Sequence, residues 1–350
     1  MHTDFAALSA DTLLAIPDDQ PERLFDGSRE DVKRTYRLLA MSWHPDRSGD
    51  PDAHAVFQHV NRLYECAQDL IGRGEWQGSG PLRLSAIDGK TYEINYLRRH
   101  PFELGMMYVA NTVVAFVVEL AHADLVANAQ RILRQLRYAD DAMRAQVAPH
   151  LPAWPLAGAF QTADAYVVVM RKTPDLLLLR DVLGHVKGRL DARHVAWVIS
   201  SLLNLCCYFE YAGITHNALS LDTCFLSPPG HGVAVLGGWW YAARSGERML
   251  AAPAGTIEWA PHDLLHTKRA GIRTDLELVR AIGRALLGDV SGARLTRESD
   301  AKQEMINWLR LPASDNPIEE YRTWRGQVLH DSFGARRFVE LPLTQSDIYV

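Results

Sequence analysis

Cysteine is scarce in this chain, and its placement suits neither of its usual structural uses. There are 4 cysteines in 350 residues: Cys66, Cys206, Cys207 and Cys224. None is spaced C-x-x-C, so a zinc module is not expected. Reduced thiols in a core are the expectation. Long apolar runs are also missing. The greasiest stretches, "VAWVISSLLNLCCYF" and "LGMMYVANTVVAFVVE", fall short of the ~20 residues of a membrane span and carry polar breaks. The opening "MHTDFAALSADTLLAIPDD" lacks the basic start and apolar core of a secretory signal. A cytoplasmic location with no membrane partner is therefore expected. An excess of positive charge is absent too: 37 Lys and Arg face 42 Asp and Glu, a net charge of -5. That argues against a general nucleic-acid binder, although a local basic patch remains compatible with it. There is no repeat and no low-complexity tract. What remains is 47% hydrophobic and 23% charged, the composition of a globular protein of one large or two ordinary domains.

The first seventy residues carry a clear helical pattern. Residues 28–43 are predicted to form a helix, with Ser28 as N-cap and Glu30 and Asp31 in the first turn. Val32, Tyr36, Leu39, Ala40 and Trp43 fall on one apolar face. Lys33, Arg34 and Arg37 make another face basic. Pro45 biases His44 away from helical angles and stops the helix. A second helix is predicted over residues 51–71, with Phe57, Val60, Tyr64, Ala67 and Ile71 inward. Two such helices pack as an antiparallel hairpin with residues 44–46 at its tip.

The stretch "REDVKRTYRLLAMSWHPDRSGDPDAHAVFQHVNRLYECAQDL" resembles the J domain of the DnaJ family. The resemblance rests on His-Pro-Asp after a basic-faced helix and before F-x-x-V-N-x-x-Y. It implies that His44, Pro45 and Asp46 trigger ATP hydrolysis by a DnaK-type heat-shock chaperone, and that Lys33, Arg34 and Arg37 form the docking face. A basic stripe speeds encounter with an acidic partner, and a rigid loop sets the small contact that follows. The family's Gly/Phe-rich stretch and CxxCxGxG repeats are missing. Client choice would then fall to the remaining residues.

After a Gly-rich segment, "GRGEWQGSG", the texture changes. "KTYEINYL", "LGMMYVA", "VVAFVVE" and "AYVVVM" read as strands, with a helix over residues 124–138 between the last two. From residue 175 the chain reads as mostly helical. A β-rich part followed by a helical part is an α+β order. With several local echoes, the order resembles the protein kinase fold, a small β-rich lobe and a large helical lobe. "VAFV" sits at the V-A-I-K strand, "ITHNALSLDTCFL" at the catalytic loop, "VAVLGGWW" before D-F-G, "GTIEWAPHDLL" at A-P-E, and "TDLELVRAIGRALLG" at the buried helix that follows.

The aligned positions have lost the charges that phosphoryl transfer uses. The phosphate-holding lysine aligns with Val117. The catalytic aspartate aligns with Ala218, the following lysine with Ser220, the metal-binding asparagine with Thr223 and the D-F-G aspartate with Gly237. No glutamate occurs between Glu119 and Glu210, so the lysine's usual partner is missing as well. His216, Pro261, Asp275 and Gly283 remain, positions that the resemblance assigns to scaffolding. The resemblance thus implies a pseudokinase, not an enzyme, with no cofactor. Asp222 is a weak substitute base. The alternatives are a divergent ATP-using transferase, or an adaptor whose J domain no longer works.

The expected division is a J domain with an N-terminal extension over 1–72, a linker over 73–80, a kinase-like domain over 81–335 and a tail over 336–350. Its expected partners are a DnaK-type chaperone and an unidentified client. His262 and His266 are at metal-pair spacing, but no third ligand is evident, so histidines on a helix surface are the better reading. Arg336 to Phe338 and Arg98-Arg99 could form basic patches. Trp239 and Trp240 fit a groove or a core. The tail "FVELPLTQSDIYV" reads as strand-like.

Overall fold

The structure is a computed structural model that describes residues 9–25, 29–73, 76, 80–335 and 337–349. Two compact units result. The first comprises Met1–Glu119, Ala159–Val169 and Tyr349–Val350, and the second Leu120–Gly158 and Met170–Ile348.

The first unit begins with helices: α1 (Ala10–Leu14), a 3-10 turn (Pro21–Arg23), α2 (Arg29–Ser42) and α3 (Ala53–Gly72). The expected N-cap Ser28, like the side chain of Glu30, lies outside the described residues. On α2 the predicted face holds: Val32, Leu39 and Trp43 are buried, with Tyr36 half-buried beside them. On α3 the buried stripe is Val56, Val60, Leu63 and Ala67, turned from the predicted one. Phe57, Tyr64 and Ile71 sit at its flanks. The reason is that α3 packs against α1 and the 3-10 turn as well as against α2, so its middle row faces all three. Burying each such side chain stabilises by about 1.5–3 kcal/mol.

The segment expected to be a linker contains a buried anchor. Trp76 is 1% exposed and belongs to the hairpin core with Leu13, Phe25, Val32 and Leu63. Residues 74–75 and 77–79 lie outside the described residues. The Trp76 carbonyl accepts a hydrogen bond from Arg99 Nε, which ties the hairpin to the neighbouring sheet.

That sheet has six strands, β1 (Gly80–Ser85), β2 (Thr91–Phe102), β3 (Gly105–Ala110), β4 (Val113–Glu119), β5 (Gly158–Gln161) and β6 (Ala165–Arg171), in the order β1-β2-β3-β4-β6-β5. β1 and β5 were not expected from the sequence. The pairs β1–β2, β2–β3 and β3–β4 are antiparallel. The sheet curls into a half-barrel: Ile87 N–H donates to the Gln161 carbonyl at 2.9 Å, and the rings of Tyr92 and Phe160 stack at 4.3 Å. Alternation along β4 puts Val113, Ala115 and Val117 on the concave face, in one apolar cluster with Leu84, Tyr108, Phe160 and Val167.

The second unit is mostly helical. It contains α4 (Ala123–Arg134), α5 (Asp141–Val147), β7 (Leu177–Leu178), α6 (Leu179–His185), α7 (Ala192–Ala212), β8 (Ile214–Thr215), β9 (Cys224–Ser227), β10 (Gly232–Val235), β11 (Ala243–Arg244), α8 (Ala254–Trp259), α9 (His262–Thr267), α10 (Ile272–Leu286), α11 (Leu295–Glu298), α12 (Gln303–Arg310), α13 (Pro317–Thr323), α14 (Leu329–Phe333) and α15 (Gln345–Ile348). α4 ends at Arg134, short of the predicted residue 138, and its Asn128 donates to the carbonyls of Trp240 (3.0 Å) and Ala242 (2.8 Å). The apolar stretch judged too short for a membrane lies in the 21-residue α7, which by length and mean hydropathy of 1.3 alone reaches what a span requires. More than half of that stretch is buried, and α10 and α13 pack on it, as on the core helix of a globular unit. The tail is helical at residues 345–348, not a strand, and Ile348 and Tyr349 are buried. Arg336 of the proposed basic patch lies outside the described residues.

Gly105 begins β3 with φ +149°, and a Cβ there would meet the Val117 carbonyl oxygen at 2.1 Å. Only glycine lets the two backbones approach this closely. Gly105→Ala is expected to cost about 2 kcal/mol or more, read as a lower denaturant midpoint with an unchanged slope.

Candidate functional site

The hairpin tip is ordered by its own backbone and by one aromatic contact. α2 ends at Ser42, and Trp43 N–H still donates to the Leu39 carbonyl at 2.9 Å. The His44 carbonyl then accepts from both Arg47 N–H and Ser48 N–H at 2.9 Å, which folds residues 44–48 into a tight turn. Asp46 N–H donates to His44 Nδ1 at 3.2 Å. In the neutral imidazole the ring proton therefore sits on Nε2. The Phe57 ring lies edge-on to His44 at 5.6 Å. The sequence reading put Phe57 in the core; the structure makes it a support for His44. The side chain of Asp46 is 88% exposed and that of His44 44% exposed, so the tip is open.

Below the tip, Lys33, Arg34 and Arg37 are exposed on α2. Asp31 pairs with Arg34 at 2.5 Å. Among the described residues Lys33 and Arg37 make no ion pair, so the uncompensated charge of this face is theirs. Two apolar residues share the face, Leu38 at 51% and Met41 at 61% exposure. The sequence reading assigned neither of them to a face. Opposite this face, Tyr36 stacks on Tyr64 at 3.9 Å and donates its hydroxyl to Asn61 Oδ1 at 2.9 Å. These contacts fix the rotation of α2 against α3, and with it the direction of the basic face.

Residues 25–75 match the family model described as DnaJ domain. Residues 25–75 form a J domain. Similar relatives include a protein named chaperone protein DnaJ from Methanosarcina acetivorans, 40% identical over 55 residues, which cover 16% of this chain and 14% of that protein. Another chaperone protein DnaJ, from Synechococcus sp. (strain JA-2-3B'a(2-13)), is 46% identical over 60 residues, 17% of this chain and 15% of that one. A curved DNA-binding protein of Coxiella burnetii is 38% identical over 63 residues, 16% and 20% of the two chains. The similarity thus spans only about 14–20% of the length of these relatives.

Among the described residues, a second cluster gathers most of the remaining predicted positions. Asp275, in the first turn of α10, is fully buried and accepts from His216 N–H and Asn217 N–H, each at 2.7 Å. Burial pushes its carboxyl up to about 7, against the pull of the two N–H donors. His216 is also fully buried, and burial holds its imidazole down at about 4. It is therefore neutral, with Nε2 2.9 Å from the Gly237 carbonyl and donating to it. Asn217 takes φ +61°, and its amide donates to the Tyr241 carbonyl at 3.0 Å. Thr256 donates to the Asn217 carbonyl at 2.7 Å.

The chemistry of this cluster is that of a brace. The Thr223 hydroxyl donates to the Ala218 carbonyl at 2.8 Å and accepts from Ser220 N–H at 2.9 Å. Gly238 has φ +78°, and a Cβ there would strike His216 Cε1 at 2.8 Å. Asp222 is not free, since Arg180 Nη2 donates to it at 2.6 Å. Trp239 and Trp240 are core residues, at 0% and 2% exposure. Pro261 caps α9. Gly283 lets α10 close on Ile199 and Leu309, whose side chains a Cβ would meet at 2.8 and 2.7 Å. The rings of His262 and His266 lie 4.9 Å apart, and among the described residues no group of three or more metal-binding side chains forms.

His216 supplies a pH test. Its folded pKa is depressed from the ordinary 6.5 to about 4. The stability it contributes is therefore complete above pH 6.5 and is lost as pH falls toward 4. The advantage of the wild type over His216→Phe, measured by melting, is expected to shrink by about 3 kcal/mol between pH 7 and pH 4.

Proposed function

We propose that this protein is a J-domain co-chaperone that stimulates ATP hydrolysis by a DnaK-type chaperone. The remaining residues would form a catalytically inactive, kinase-like partner-binding module. The observation that carries the first part is the open tip of residues 44–46, held above a basic helix face within the segment that matches the DnaJ domain. Charge on Lys33 and Arg37 favours encounter with an acidic partner, while Leu38 and Met41 offer apolar area beside it. Four free thiols, Cys66, Cys206, Cys207 and Cys224, are consistent with a cytoplasmic, reducing setting.

The inactive reading is supported by what stands at the kinase-aligned positions. Val117 packs among Leu84, Tyr108, Phe160 and Val167, an apolar cluster in which a lysine ammonium would lose its hydration without a partner. The Thr223 hydroxyl and the Gly237 carbonyl are occupied by internal hydrogen bonds. Asp222 is paired to Arg180. The retained Asp275 and His216 hold backbone and leave no charge for phosphate or metal. The expected domain limits, a J domain to residue 72 and a kinase-like domain over 81–335, belong to this proposal.

Single-turnover ATP hydrolysis by a DnaK-type chaperone tests the first part. The full chain is expected to accelerate hydrolysis and His44→Gln to abolish the effect. Acceleration unchanged in His44→Gln would overturn the assignment of the tip. Lys33→Glu with Arg37→Glu should weaken stimulation at low salt and much less at high salt, because exposed charges are screened within about 8 Å at physiological ionic strength. For the second part, ATP with magnesium is expected to leave melting unchanged. A gain of about 2.7 kcal/mol at a hundredfold excess over Kd would instead mark a nucleotide site.

A further inference from the structure

A cavity of about 290 Å3 opens in the second unit, lined by residues of α8, α10 and the end of α12. Its apolar lining is Trp259, the last residue of α8, together with Leu311 and Pro312. Leu311 is 60% exposed, so the apolar lining continues to the surface. Its polar lining is Arg284 and Glu277 on α10, Ser291 in the loop that follows, and Arg310 at the end of α12.

Both guanidiniums are fixed in place, and each keeps one nitrogen in reserve. Arg284 stacks on the Trp259 ring at 4.8 Å. Its Nε and Nη1 donate to the carbonyls of Val290 and Leu309, both at 2.7 Å. Among the described residues its Nη2 has no hydrogen-bond partner. Arg310 donates from Nε and Nη2 to the Gly292 carbonyl at 2.8 and 2.5 Å, and from Nη2 to Ala293 at 3.2 Å. Among the described residues its Nη1 has no hydrogen-bond partner. Glu277 accepts Ala313 N–H on Oε1 at 2.8 Å and keeps Oε2 unused. Two anchored cations against one carboxylate leave the lining with one net positive charge, and the donors need no reordering to receive an anion.

We propose that this cavity binds a single carboxylate side chain, Asp or Glu, carried beside an apolar residue on an exposed segment of a partner protein. A monoanion balances the lining, whereas a phosphate dianion would over-fill it and press on Glu277. The volume lies at the lower edge of ligand pockets, about 300 Å3, which suits a side chain better than a cofactor. The apolar neighbour lies on Trp259 and Leu311, where desolvation strengthens the ion pair. Nothing in this proposal depends on the J domain or on the kinase likeness.

The test uses the full chain labelled with 15N, following the indole N–H of Trp259 (assigned with Trp259→Phe) and the arginine side-chain signals. The probes are three blocked peptides: acetyl-Leu-Glu-Leu-amide, its Gln counterpart and its phosphoserine counterpart. The Glu peptide is expected to give saturable shifts, and the Gln peptide to bind about tenfold more weakly, as loss of one charge-assisted pair implies. Arg310→Gln should remove the difference between the two. Leu311→Ser changes an exposed side chain, so folding should persist while affinity for the Glu peptide falls severalfold. Equal binding of the Gln peptide, tighter binding of the phosphoserine peptide, or no saturable shift up to ~10 mM would overturn the proposal. Chaperone stimulation is read in a separate assay, so failure here leaves the co-chaperone reading standing, and the converse also holds.

Discussion

Much of the second unit is organised around one buried carboxylate. Asp275 receives two backbone N–H groups, from His216 and Asn217, at 2.7 Å each. Those amides begin the loop that runs to β9, and no strand partner is at hand for them. A buried N–H left unpaired costs about 1–3 kcal/mol, so the two bonds decide whether this loop can lie inside the unit at all. Once it does, the neutral His216 reaches Gly237, Asn217 reaches Tyr241, and Thr256 closes on Asn217. One side chain on α10 thereby connects β8, the segment after β10 and α8. The carboxylate is raised toward neutrality by burial, which is the electrostatic cost of placing it there.

The hairpin tip solves the opposite problem. Its groups must stay in water and still hold a shape. The turn uses the His44 carbonyl twice, and proline restricts the backbone at residue 45. Phe57 then limits the His44 ring from one side. The Tyr36–Tyr64 stack and the Asn61 hydrogen bond sit a few turns away, where they set the rotation of the helix without covering the tip. Rigid support beneath an exposed constellation lowers the entropy lost when a partner docks.

The longer helices were largely legible, because a 3.6-residue apolar period survives in almost any context. The tip was legible for a local reason, since proline after a helical face leaves few alternatives. β1 and β5 were not. Each is a short stretch at a sheet edge, and Pro81 in β1 argues against a strand unless it lies on such an edge. Trp76 was read as part of a linker because its glycine-rich neighbours dominate the local signal, while its burial depends on helices far away in sequence. α3 was read about one residue out of phase, since a helix packed on three partners does not show a single stripe. The scaffold role of Asp275 came from resemblance. No periodicity could have found it, because a buried carboxylate is defined by the donors that fold onto it.

Arginine is used in two physically different ways. On α2 the guanidinium and ammonium groups stand in water, where each pair is worth little and the summed field matters more. In the second unit Arg280 is 2% exposed, paired with Glu320 at 2.7 Å and stacked 3.9 Å from the Trp308 ring. Glu320 in turn accepts Ser314 N–H. Such a pair contributes little net stability over an apolar replacement, but removing one partner strands the other. Its value lies in orientation: Arg280, Arg284 and Arg310 each donate to carbonyls at the ends of helices or in the loops between them. The same residue type that makes a diffuse field on the hairpin acts here as a set of fixed struts. A guanidinium held by carbonyls has already lost the freedom that a solvated arginine on an open helix face would lose on binding.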